Sequence, residues 1–401
     1  MEAEPVLPWQ QSWQTTAASL CRAHSAIQHA IGGGGGARAR IDRAGRVAAA
    51  VVSVATAAAG RLLVDSAAVV QHGEWSGGAA RRPTVVRSSS LGRSPADWAA
   101  LSVEQLVVGH SAAQWSAVVQ GAVDPPSSVR LAIADYVQYM EQTPDADPLY
   151  LFEYELPPLL LRAAAAARPA LLGPPDILAQ LAAEAPAAAA KAEPGELMGE
   201  GCGRGGCERP RRISLLDERQ WVVLGPAGSG SRWHTDPHAT DAWNLLIDGR
   251  KLWAFWPPGE PGESETDGVP PGVPVLPAVP GARGAIIEAP AAVEWFELTM
   301  LPLLQGAEGT AGAAAAASAG SGGRRLQWVE QLPGDVVLVP HGWWHAVLNV
   351  AAVNCAFTQN EVRAANLRAA HASLRHAEPA LAAALARWAA RQRTDSSDSE
   401  S

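Results

Sequence analysis

This sequence predicts a mainly β domain with helices on its flanks, and three observations carry that prediction. The runs QWVVLG, KLWAFW, DVVLVP, HAVLNV and VNCAFT all lie from Gln220 onward and are rich in Val, Leu, Trp and Phe, the composition of buried strands. Pro, Gly, Asp and Asn separate them, the residue types that turn a chain. Outside this block the apolar residues recur at helical spacing, as in the series Leu367, Leu374, Leu381, Leu385 and Trp388. Short strands punctuated in this way read as a barrel or sandwich.

Taken in chain order, residues 1–95 read as a poorly ordered N-terminal region. They hold the Gly32–Gly36 tract, an Ala/Val run (47–59) that reads as a buried or loosely packed helix, and a basic, serine-rich segment (81–93). A domain follows over 96–362. In it LAIADYVQYMEQT (131–143) has helical spacing and ends before Pro144, and PLYLF (148–152) reads as a short buried strand. Low-complexity insertions interrupt the domain at about 184–212, 257–287 and 306–323, and AAVEWFELTMLPLL (291–304) reads as a helix between the last two. Residues 363–401 read as one helix ending in the acidic, serine-rich tail TDSSDSES.

Composition removes several classes of function. With 31 basic against 40 acidic residues and a net charge of −9, the chain has no general basic character to draw it to nucleic acid. The four cysteines are scattered, which points to a reducing intracellular compartment, nuclear or cytoplasmic, rather than to a secreted module. Glu2 and Glu4 stand where a secretory leader would be basic, and the apolar run from Val47 is short of the roughly 20 residues of a membrane span.

The rare residue types gather in GSGSRWHTDPHATDAWN (228–244). In a strand, positions i and i+2 share a face, so the H-x-D of His234 and Asp236 can aim an imidazole and a carboxylate at one point. A second histidine would complete the two-histidine, one-carboxylate triad of non-haem Fe(II) oxygenases, and His345 in VPHGWWHAVLN is the candidate. The pair His72 and Glu74 repeats the spacing without the supporting strands. An Fe(II) centre that activates O2 needs two further electrons, which 2-oxoglutarate provides through its oxidative decarboxylation. The far carboxylate of 2-oxoglutarate needs a cation deep in the barrel, and Lys251, opening the aromatic strand KLWAFW, meets that need. The plain alternative for Lys251 is a charge that guards a sheet edge.

GPAGSGSRWHTDPHATDAWNLLIDGRKLWAFWPP, together with PGDVVLVPHGWWHAVLN and FTQN, resembles the Jumonji-C (JmjC) oxygenases, nearest to the branch of bifunctional arginine demethylases and lysyl-hydroxylases. With YVQYMEQTPDADPLYLF and VEWFELT the resemblance covers roughly 131–362, with interruptions. It implies a double-stranded β-helix of the cupin or jelly-roll kind with flanking helices. It also implies Fe(II) on His234, Asp236 and His345, with 2-oxoglutarate held by Asn244, Lys251 and Thr358 in a pocket that Asn349 helps to shape. Ser231 falls at a substrate-contact position occupied by threonine in relatives. Thr358 stands one residue later after His345 than the family pattern has it, which predicts a bulge. His341 replaces a usual glycine, and the stretch from Asp236 to His345 is longer than in relatives.

The implied activity is hydroxylation of a protein side chain with O2, as lysyl hydroxylation and/or arginine demethylation. Histone lysine demethylation, or an inactive metal-binding scaffold, is the alternative. Other motifs compete less well. GPAGSG (225–230) lacks the Lys-Ser/Thr ending of a phosphate loop, and Cys202 with Cys207 lacks a second ligand pair for zinc. Trp233, Trp243, Trp343 and Trp344 read as packing before they read as a cage for a methylated cation. His238 and His341 read as neighbours of ligands rather than as ligands.

Overall fold

The computed structural model describes residues 37–57, parts of 64–110, 113–118, most of 128–189, most of 215–259, 268–276, most of 286–305, and 326–398. Its strands are β1 (Val64–Ser66), β2 (Ala68–Val70), β3 (Thr84–Val86), β4 (Gln114–Val118), β5 (Ser128–Ala132), β6 (Tyr150–Glu153), β7 (Gln220–Pro226) and β8 (Gly230–His234). They continue as β9 (Asp241–Asp248), β10 (Lys251–Trp256), β11 (Val275–Leu276), β12 (Ile286–Ile287), β13 (Leu326–Gln331), β14 (Val336–Val339), β15 (Trp344–Asn349) and β16 (Val353–Glu361).

From β7 onward, setting aside the small β11–β12 hairpin, the chain winds between two sheets. One carries the order β14-β9-β16-β7 and the other β13-β10-β15-β8. Successive strands β7, β8, β9 and β10 alternate between the sheets, and so do β13, β14, β15 and β16, which is a double-stranded β-helix. The larger sheet is extended by β6, β4 and β5 beyond β7 and by β3 and β2 beyond β14, while β1 pairs parallel with β13.

Strand β10 is buried along its whole length because both faces are covered, so it reads as a continuous apolar run rather than an alternation. Trp253 and Phe255 point into the barrel with Val337 and Val347, and Leu252, Ala254 and Trp256 point outward into a second cluster. Lys251 continues the inward row, so the barrel axis carries one ammonium among aromatic rings. The outer face of the larger sheet packs Leu224, Leu245 and Phe357 against Leu101, Tyr136 and Met140.

Several elements depart from the sequence expectations. Within the N-terminal region expected to be poorly ordered, helix Ala37–Ala57 begins well before Val47 and lies on the smaller sheet. Its buried residues Ala44, Val47, Ala48 and Val51 form an i, i+3, i+4, i+7 stripe that the alanine-rich composition disguises. Arg40, also buried, donates to the carbonyls of Thr143 (3.1 Å), Met140 (2.8 Å) and Ala227, fastening this helix to the β7–β8 turn. The helix expected over 131–143 begins at Ile133, because β5 claims the residues before it.

The helix expected over 291–304 is Ala292–Trp295, a wide π turn Phe296–Met300, and Leu301–Gln305. Pro302, which cannot donate back to Leu298, accounts for the widened turn just before it. The single C-terminal helix expected is two, Leu367–Ala377 and Pro379–Asp398, broken where Pro379 starts the second. His72, Glu74, Cys202, Cys207 and the 306–323 insertion lie outside the described residues. Among the described residues no helix is long and apolar enough to cross a membrane.

Candidate metal centre and its pocket

His234 ends β8, and His345 lies in β15 directly opposite it in the antiparallel register. This pairing holds two side chains far apart in sequence at neighbouring positions on one barrel face, with ring centroids 4.1 Å apart. Asp236 follows two residues after His234, and its Oδ2 lies 3.9 Å from His345 Nε2. One potential ligand atom from each of the three falls within 4.8 Å of the others, the only such group of three among the described residues.

Each donor is aimed by a second contact. His234 Nδ1 lies 2.8 Å from the Arg232 carbonyl and His345 Nδ1 lies 3.2 Å from the Trp343 carbonyl. A carbonyl only accepts, so both Nδ1 atoms carry the proton and both Nε2 lone pairs are free for a ligand. Burial, reinforced by His234 alongside, holds the His345 imidazole well below the usual histidine range, in the neutral form a metal requires. Asn360 Nδ2 donates to Asp236 Oδ1 at 3.5 Å, while Asp236 Oδ2 is buried without a hydrogen-bond partner. Burial pushes the Asp236 carboxyl up to about 6 despite the opposing pull of His234. A buried carboxylate oxygen with nothing to bind beside two free imidazole nitrogens fits a divalent cation.

The glycines around β8 and β10 serve this placement. At Gly230, where φ is 157°, any Cβ would run into the Val347 carbonyl, so only glycine lets β8 lie this close to β15. After Asp236 the backbone takes positive φ at His238 and Ala239, 55° and 52°, and Asn366 Nδ2 bonds the Ala239 carbonyl at 3.0 Å. A left-handed non-glycine pair is backbone strain that the surrounding contacts must hold in place.

The triad opens into a cavity of about 520 Å³, and Ser231, Asn244, Lys251 and Thr358 line the same space. Lys251 is 1% exposed, and its Nζ donates to the Tyr150 hydroxyl at 3.1 Å. Burial pulls its ammonium down to about 7, and among the described residues no carboxylate pairs with it. Asn244 Oδ1 accepts from Gln331 Nε2 at 3.2 Å, and Thr358 Oγ1 donates to the Trp243 carbonyl at 3.1 Å. Thr358 stands opposite Asn244 across β16 and β9, whose register shifts at Cys355/Ala356. That shift leaves the extra residue on β9, at Ile247, while β16 pairs β7 without a break from Val353 to Gln359, so the bulge that the late position of Thr358 predicts is not found in β16. Asn349 is fully buried and does not line the cavity; its Nδ2 donates to Ser229 Oγ at 2.9 Å and its Oδ1 has no partner.

Residues outside the sequence-predicted set also take part. Tyr150 and Phe152 project from β6, Trp253 stacks 6.1 Å from His345, and Asn360, Glu218 and Trp221 line the cavity. Tyr150 sits inside the quoted PLYLF strand, but its aim at Lys251 depends on β6 joining β7 across a long intervening segment. The four tryptophans weighed as a cage belong to packed clusters: Trp233 meets Trp295 edge-on at 4.8 Å, and Trp343 is buried beside Val339. His341 Nδ1 lies 3.1 Å from Asp241 Oδ1, and His238 contacts Ser373, so neither joins the triad. The GPAGSG segment turns between two strands and leads into no helix.

No family model matches the chain. Among curated proteins, it is 30% identical over 246 residues to the Lysine-specific demethylase JMJ21 of Arabidopsis thaliana, covering 60% of this chain and 20% of the relative. It is 28% identical over 148 residues to the Bifunctional arginine demethylase and lysyl-hydroxylase psr-1 of Caenorhabditis elegans, covering 37% and 30%. Over 45 residues it is 40% identical to the 2-oxoglutarate and iron-dependent oxygenase JMJD4 of Homo sapiens, covering 11% of each. The chain thus spans less than a third of the length of these relatives.

Proposed function

We infer that this chain is a JmjC-type oxygenase dependent on Fe(II) and 2-oxoglutarate, and that it hydroxylates a protein side chain, as lysyl hydroxylation and/or arginine demethylation. The observation that carries the reading is one cavity holding both the His234–Asp236–His345 cluster and the buried, acid-free Lys251. An inactive scaffold has no use for a desolvated cation at that depth. The names of psr-1 and JMJD4 support the chemistry and the cofactors.

In this reading His234, Asp236 and His345 hold Fe(II). Lys251 attracts the far carboxylate of 2-oxoglutarate, Tyr150 fixes its ammonium, and Asn244, Thr358 and Asn349 shape the rest of that subsite. Bound Fe(II) with 2-oxoglutarate supplies the activation of O2 that inserts oxygen into a C–H bond, yielding succinate and CO2. The Arg232 and Trp343 carbonyls keep the two imidazoles in the ligand-ready tautomer, and Asn360 holds the carboxylate in place. Trp253 and Val347 exclude water around the centre. Ser231, on β8 beside the triad, takes the substrate side. When the oxidised carbon is an N-methyl group, the hydroxylated product releases formaldehyde and leaves the demethylated amine, so one site serves both outcomes.

The protein substrate presents a lysine or methyl-arginine side chain. Histone lysine demethylation is the second reading, favoured by the name of JMJ21. The scattered cysteines support a nuclear or cytoplasmic setting. The test incubates the purified chain with Fe(II), O2 and labelled 2-oxoglutarate, with and without lysine- and methyl-arginine-containing peptides. Succinate formation stimulated by a peptide is expected. A peptide gaining one oxygen marks hydroxylation, and one losing a methyl group marks demethylation. No succinate with iron bound would overturn the oxygenase reading.

A further inference from the structure

We propose that Glu218 is the counter-charge that selects a cationic side chain at the mouth of this cavity, with Trp221 as the aromatic wall beside it. The proposal rests on the oxygenase reading and adds the residue that recognises the substrate's charge.

The triad is committed to a metal, and Lys251 to an anion. Arg232 donates to Asp147 Oδ2 at 2.5 Å and to the Ala289 carbonyl at 2.6 Å, so its charge is answered inside the protein. Glu218 remains. Among the described residues no Lys, Arg or His lies within ion-pair distance of it, and its side chain lines the cavity within hydrogen-bonding reach of Trp221. A carboxylate that faces a cavity beside an indole, with no cation of its own, is the arrangement that binds an ammonium or guanidinium: the acid supplies charge and the ring face supplies cation–π attraction.

The position suits an entering side chain. Glu218 lies two residues before β7 and is half-buried, whereas Lys251 is sealed. Trp221 stands opposite Thr358, and Thr358 opposite Asn244, so one row of register partners runs across the sheet from the indole toward the subsite proposed for 2-oxoglutarate. Burial raises the Glu218 carboxyl, as expected of an acid awaiting a partner.

A purely structural role, in which Glu218 merely steadies Trp221, is separated by charge discrimination. The full chain, loaded with Fe(II) and 2-oxoglutarate without O2, is titrated calorimetrically with paired synthetic peptides. One pair differs only in a central lysine or norleucine, the other in a central monomethyl-arginine or citrulline. The wild type is expected to prefer the cationic member of at least one pair by about tenfold, the worth of a hydrogen bond to a charged group. Glu218→Gln, which keeps the shape and still accepts from Trp221, should bring that ratio to near one, and Glu218→Asp should restore part of it. A wild type without preference, or a Glu218→Gln protein with an unchanged ratio, overturns the proposal. Succinate formation by the wild type in air is read in parallel. Charge-selective binding without succinate removes the oxygenase reading and leaves the cation site, and succinate with an unchanged ratio does the reverse.

Discussion

The two ends of the cavity are built on opposite principles. At the triad end every donor is held from behind: two imidazoles by backbone carbonyls, and a carboxylate by Asn360. At the lysine end a buried ammonium meets only Tyr150 among the described residues, its neutral hydroxyl at 3.1 Å and its ring centroid 5.8 Å away. The triad is organised before any ligand arrives. The lysine end is left electrostatically incomplete, and an incoming carboxylate completes it. In the proposed reading, iron affinity rests on geometry and affinity for the cosubstrate on an uncompensated charge.

The largest expected effect breaks the geometric end. His234→Ala removes a ligand and an inward lone pair that no neighbour replaces, and the loss of the several kcal/mol a metal contributes corresponds to about 1000-fold in rate. Succinate formation and iron content should fall together. Iron retained at full stoichiometry, or turnover at the wild-type rate, would mean that the three side chains do not act as one site.

Next comes the electrostatic end. Lys251→Met should leave iron content unchanged and raise the KM for 2-oxoglutarate by about 100-fold, the upper range for a buried charge-assisted contact. The same change should raise the Tm of the cofactor-free protein, because it removes a desolvated cation with no counter-charge among the described residues. The wild type carries a pH signature of the same origin. The free Lys251 ammonium titrates near 7, and a bound carboxylate raises it, so the complex holds more protons than the free protein. Affinity for 2-oxoglutarate is then flat below that value and weakens as pH rises above it, by up to about tenfold per unit. A KM constant from pH 6 to 9 would place the cation's partner elsewhere.

The two ends differed equally in how legible they were. His234 ends β8 and Asp236 follows two residues on in extended backbone, so the period of two still relates them, and His345 is found because its own strand is strongly patterned. Lys251 is conspicuous as the one charge in an aromatic run. Tyr150 and Asn360 do not advertise themselves: a tyrosine in a short apolar strand or an asparagine after FTQ acquires a role only through which strands pair, and that pairing is long-range. The N-terminal helix escaped for a different reason. Its stripe is mostly alanine and valine, which lie low in any hydropathy contrast, and the buried Arg40 that fastens it looks like an ordinary surface charge until its three carbonyls are seen. Thr358 lies between these cases, since its late position suggests a bulge in its own strand, whereas the register shift beside it falls on β9 at Ile247.

The smallest effect sharpens the comparison most, because it tests whether the two ends are independent. Tyr150→Phe keeps the ring and removes the one acceptor that Lys251 Nζ reaches. Losing a single hydrogen bond of about 1 kcal/mol raises the KM for 2-oxoglutarate about fivefold. It also disfavours the ammonium form, so the pH at which affinity begins to weaken moves down rather than up. Asn360→Ala is its counterpart: Asp236 loses its anchoring donor, and iron is expected to bind about tenfold more weakly, in the range for groups that orient metal ligands. If Tyr150→Phe lowers iron content, or Asn360→Ala moves the pH profile for 2-oxoglutarate, then charge and geometry are coupled across the cavity. The lysine would then be part of the metal's own electrostatic field rather than a separate receptor for the cosubstrate.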